Sequence, residues 1–166
     1  MSILFGFLTL VSLAIETAVP YWFPLRMLVP NLIVILAVDL GLRHHGAIPI
    51  ALAFAMGYAT DAFAGTILGL NAMLITVIYL LAYEVSSRLM VTTALVGSIM
   101  VFAGVLLSTI GGLVLNSGFA ALSDAGPLFP HFAAEAAISA IIAPVIFAFL
   151  SGIKRITGLP VGPARE

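Results

Sequence analysis

Six apolar stretches, separated by short breaks rich in proline, glycine and arginine, constrain this chain more than any other feature. They run from about Ile3 to Val19, Met27 to Leu42, Ala47 to Ala64, Gly69 to Ser87, Val91 to Leu115 and His131 to Gly152. At 1.5 Å per residue, helices of these lengths reach about 24–38 Å, which brackets the hydrocarbon thickness of a bilayer. A water-soluble core is the competing explanation, and composition removes it. Apolar residues make up 63% of the chain and charged residues 8%, against about 45–50% and 25% in soluble domains, too little polar surface to face water. The sequence therefore predicts an all-α integral membrane protein, a six-transmembrane-helix bundle.

One polytopic domain over residues 1–152, followed by a disordered cytoplasmic tail over 153–166, is the natural division. A signal peptide at the N-terminus would need a basic leading region, which is lacking. The cluster Pro20-Tyr21-Trp22-Phe23-Pro24 has the aromatic character of an interface anchor. The second helix is expected to carry Pro30 in its first turn, where a missing N–H costs little. Only about four residues separate the third and fourth helices, so these must lie antiparallel and adjacent. Gly57, Asp61, Gly65 and Gly69 recur every four residues, a stripe of small residues along which a neighbouring backbone can approach. Gly97, Gly104, Ser108, Gly111 and Gly112 supply a second such face, and Pro144 threatens a kink in the last helix. With the N-terminus inside, Arg43, Arg88, Lys154, Arg155 and Arg165 fall on the cytoplasmic side and Arg26 alone outside, which sets both termini in the cytoplasm.

The ionisable residues sort by position. Asp39 and Arg43, Glu84 and Arg88, and His131 and Glu135 stand four apart near helix ends and are expected to pair. Asp61 is different. It sits about 21 Å along its helix, deep in an apolar run, where a carboxylate must face the bundle and bond something. Asn71, Thr60, Thr66 and Arg26 are candidate partners, and Glu16 is a further polar residue on the same outer half. The simplest expectation is that Asp61 accepts N–H bonds from the turn Gly65 to Leu68, caps the fourth helix and locks the hairpin. A ligand contact is the alternative.

Catalysis finds little support. An aspartyl dyad needs two carboxylates within a few Å, whereas Asp39 and Asp61 differ by about 16 Å in height along the bundle. No serine has a base nearby, His44 and His45 lack further metal ligands, and no glycine-rich phosphate loop occurs. Without cysteine there is no thiol chemistry, and a net charge of −1 gives no reason to expect nucleic acid. No cofactor or metal is expected.

The arrangement Pro30-Asn31, then Gly57-x-x-x-Asp61-x-x-x-Gly65-x-x-Leu68-Gly69-x-Asn71-Ala72, closely resembles the MreD family of rod-shape-determining proteins. One departure is Val29, where members often carry arginine; Arg26 lies one turn earlier. The resemblance implies a fold similar to the substrate-binding (S) subunits of energy-coupling-factor transporters. It also implies a non-catalytic inner-membrane scaffold of the bacterial elongation machinery. Implied partners are an MreC-like single-span protein and, through it, MreB, RodA and a class-B penicillin-binding protein in lateral peptidoglycan synthesis. The residues Pro30, Asn31, Gly57, Asp61, Gly65, Leu68, Gly69 and Asn71 would form its structural or partner-binding motif. A vitamin-binding transporter subunit is the alternative, with Ala14-x-x-x-Ala18 as its coupling face, and it would need a deep outward-facing pocket.

Overall fold

A computed structural model describes residues 30–44, 46–64, 67–88, 94–118 and 126–156, together with Gly6, Thr9, Val11, Ser12 and Ala14. Among the described residues the chain folds into five α-helices: α1 Leu32–Arg43, α2 Ala47–Ala64, α3 Leu70–Arg88, α4 Ala94–Ser117 and α5 Phe129–Ile156. A single 3-10 turn, Gly126–Leu128, leads into α5. Four segments are long and apolar enough to cross a membrane: Ala47–Ala64, Leu70–Arg88, Leu95–Ser117 and Gly126–Ile153. The expected count of six is not reached here. The first expected span is represented by five helical positions, among which Thr9 and Ser12 are buried; Glu16, Arg26 and Val29 lie outside the described residues.

The second expected span is a short inner helix. α1 has 12 residues, about 18 Å of rise, little more than half the hydrocarbon thickness. Ten of them, Ile33 to Leu42, are buried. A helix made of Leu, Ile and Val on every face has no solvent side and suits the middle of a bundle, and α1 packs against all four other helices. Pro30 does not enter its first turn as expected. Asn31 takes the N-cap instead, its Oδ1 accepting the Val34 N–H at 3.1 Å, because an amide oxygen there satisfies a donor that a proline-led start would leave open.

Several contacts replace what the small-residue stripes were expected to offer. A Cβ at Gly97 would stand 2.5 Å from the Phe147 ring, at Gly104 3.0 Å from Val34 and 3.1 Å from Ile78, and at Gly111 2.7 Å from Leu74. These glycines admit the bundle's own side chains, since a close-packed interior has no spare volume at such points. On the α4 face, Gly112 by contrast has open space around it. Gly41 likewise lets α1 meet α3, where a Cβ would be 2.6 Å from the Tyr79 carbonyl oxygen. α5 continues through Pro144 as one helix and past Gly152 to Ile156, so the first residues assigned to a tail belong to it.

Candidate functional site

The clasp between α2 and α3 is built from the expected motif, and Gly69, Asn71 and Ala72 are among the donors that reach its carboxylate. Gly57 brings the two backbones together: a Cβ there would lie 2.5 Å from both the Asn71 carbonyl oxygen and the Ala72 Cα. One turn on, the fully buried Asp61 points at the start of α3. Its Oδ2 accepts the N–H groups of Gly69 at 2.9 Å and Ala72 at 3.2 Å, and its Oδ1 accepts the Asn71 N–H at 3.1 Å. Of the turn expected to donate, Gly65 to Leu68, Gly65 and Thr66 lie outside the described residues.

The physical reason lies in what α3 lacks. Its capping position is Gly69, at φ +96°, a conformation glycine adopts without strain but with no side chain to cap with. Four N–H groups at a helix start need acceptors. Leu70 donates to the Ile67 carbonyl and Met73 to the Gly69 carbonyl, and Asp61 takes the two between. A negative charge at this end also favours the helix dipole. Gly69 therefore leaves the four-residue stripe to form the turn.

Pro30 and Asn31 form a second polar group. The Asn31 N–H donates to Ser139 Oγ on α5 at 3.0 Å. The expected His131–Glu135 ion pair is not among those formed by the described residues. Because a short turn joins α1 to α2, Asn31 and Asp61 stand at the same end of the bundle.

At the opposite end, two of the expected pairs are present. Arg43 Nε lies 2.7 Å from Asp39 Oδ1, with the Asp39 side chain fully buried, and Arg43 Nη1 donates to Ser151 Oγ at 2.9 Å. Arg88 and Glu84 pair at 2.6 Å in the open. The C-terminal carbonyls of α1 are also satisfied from α3: Ser86 Oγ donates to Leu42 O at 2.7 Å and Tyr79 Oη to His44 O at 3.0 Å. Sequence reasoning passed over Ser139, Ser151, Ser86 and Tyr79. A hydroxyl spaced seven residues from another in an apolar helix, as Tyr79 and Ser86 are, was the available signal.

Chemically, the site is saturated. Asp61 is committed to three N–H groups and Asp39 to an arginine, so neither carboxylate is placed to share a proton with the other. Among the described residues no three His, Asp or Glu side chains gather as metal ligands. A groove of about 250 Å³ between α3 and α4 is lined by Ile78, Leu81, Met100, Ala103, Gly104 and Leu107, which offers a polar vitamin no side chain to hydrogen-bond.

A family model for the rod shape-determining protein MreD matches residues 1–153. No curated protein and no solved structure matches the chain, so the expected likeness to energy-coupling-factor substrate-binding subunits gains no support.

Proposed function

This chain belongs to the rod shape-determining protein MreD family, and on that premise we propose that it is a non-catalytic scaffold of the bacterial elongation machinery. It is a multi-pass membrane protein of the shape-determining system; its placement in the inner membrane with both termini cytoplasmic, and a sixth span over residues 3–19, are part of the proposal. The scaffold binds an MreC-like single-span protein and through it helps MreB, RodA and a class-B penicillin-binding protein direct lateral peptidoglycan synthesis and maintain rod shape.

The family match over nearly the whole chain carries this reading. The geometry supports it at the motif, where the Asp61 carboxylate joins two helices through backbone N–H groups. Gly57, Gly97, Gly104 and Gly111, on the faces a sequence would assign to partners, meet other parts of the bundle. The partner surface then falls on side chains the clasp holds outward, Phe63, Ile67 and Leu68, exposed by 63%, 59% and 62%. Large apolar residues grouped around a rigid turn are the kind of anchor that protein interfaces use.

Co-purification from native membranes tests the proposal. The chain is expected to come with an MreC-like protein, and Leu68→Asp together with Ile67→Asp to lose that partner while the bundle stays folded. Recovery with an ATPase pair and a bound vitamin, and never with an MreC-like protein, would overturn it.

A further inference from the structure

The turn at the clasp gives the partner a contact at the end of the bundle but leaves its span unplaced, and α5 carries a face that fits one. Two bonds fix the depth of α5. Arg43 Nη1 reaches Ser151 and the Asn31 N–H reaches Ser139, each across 108 residues, so α1 and α5 run parallel in one register. With Arg43 at one boundary of a hydrocarbon layer about 30 Å thick, Glu135 lies about 24 Å along α5 from Ser151, about one turn inside the other boundary. A carboxylate at that depth is costly without a counter-charge. Glu135 is half-buried, and no cation among the described residues reaches it: both arginines with described side chains, Arg43 and Arg88, stand at the opposite end in ion pairs of their own. Asn31, beside it, is a neutral amide.

The apolar face beside Glu135 has the period of a helical partner. Ala134, Ile138, Ile141, Val145, Ala148 and Gly152 recur at alternating steps of four and three, a seam in which all but the half-buried Ile138 are exposed. Their mean spacing of about 3.5 residues is the one with which two helices pack side by side over several turns. Small residues toward both ends of the seam let a backbone approach, and Ile141 and Val145 project from its middle. Glu135 directly follows the seam residue Ala134 and so flanks the seam, the position from which charged residues of paired helices bind across the interface.

We propose that the α5 seam receives the single transmembrane helix of the MreC-like partner and that Glu135 accepts a lysine or arginine from the clasp-side end of that helix. This rests on the scaffold reading and places the partner's span. Each charge alone is costly in hydrocarbon, and pairing relieves both. An acyl chain covers the apolar seam equally well but brings no cation to this depth.

The test captures the MreC-like protein of the same genome on the full chain in detergent. Glu135→Gln is expected to weaken capture about tenfold or more and Glu135→Lys to abolish it. Replacing the partner's basic residue at that end of its span by glutamate is expected to restore capture by Glu135→Lys. In native membranes Val145→Cys, in a chain with no cysteine of its own, is expected to cross-link to cysteines placed along the partner's span with a period near 3.5 residues; this variant stands even where those at Glu135 fail to fold. Undiminished capture by Glu135→Lys, or cross-linking of Val145→Cys only to a second copy of the chain or to nothing, overturns the inference. It does so alone where Ile67→Asp with Leu68→Asp still loses the partner, whereas a wild-type chain that captures no MreC-like protein overturns the scaffold reading as well.

Discussion

Asp61 is worth more to this protein than its single charge suggests, because three backbone N–H groups depend on it. Each buried donor left without an acceptor costs about 1–3 kcal/mol, so Asp61→Ala is expected to lose at least about 3 kcal/mol in detergent unfolding. Asp61→Asn retains one acceptor oxygen and is expected to lose about half as much; equal losses for the two would show that the N–H bonds are not what Asp61 supplies. The glycines separate just as sharply. Gly57→Ala places a methyl against the backbone of α3, which cannot move aside as a side chain can, and is expected to lower Tm and the yield of folded protein. Gly112→Ala meets nothing within 4 Å and should gain up to about 1 kcal/mol from helix propensity. Thermal melts of the two variants side by side decide this, and a neutral Gly57→Ala would disprove the close approach. The four-residue spacing made these positions visible in the sequence, but it gave no means of telling a glycine that meets backbone from one that meets open space.

At the scale of elements, α1 is the unusual one. A helix of about 18 Å is shorter than the helices around it, and several of its end groups are met by protein side chains. Asn31 closes one end, and Ser86 and Tyr79 from α3 close the other. Ser86→Ala and Tyr79→Phe are each expected to destabilise by about 1 kcal/mol, and about additively because they serve different carbonyls. Chemical unfolding of the single and double variants measures this; no loss in the double variant would mean that water or another group closes α1. The hydropathy of residues 27–42 announced a helix, but not its burial on every side. Its true length was not legible, because Pro30 is compatible with a first turn and only the hydrogen bonds of Asn31 choose otherwise.

For the whole molecule, the alternation of helices through short connections sets Asn31, Asp61 and the 3-10 turn before α5 at one end, and Arg43, Arg88 and Ile156 at the other. In the proposed orientation, with arginine and lysine on the cytoplasmic side, the first of these ends is the outer one. A cysteine introduced by Ser123→Cys, in the long connection between α4 and α5, is expected to react with an impermeant thiol reagent added to intact spheroplasts. Reaction only after lysis would invert the orientation. Outward-facing side chains such as Ile141, Val145 and Phe149, exposed by 74%, 69% and 62%, are consistent with a bundle whose solvent is hydrocarbon.

By itself the sequence determined the solvent, the helical class, the hairpin of α2 and α3 and the carboxylate at its tip, because hydropathy, chain reach and the cost of a lone buried charge are local quantities. Only the tertiary structure decided that the Asn31 N–H reaches Ser139 and that Arg43 leans on Ser151. Those outcomes depend on which faces meet across more than a hundred residues of chain, and a spacing of three or four along one helix carries no information about the helix on the other side.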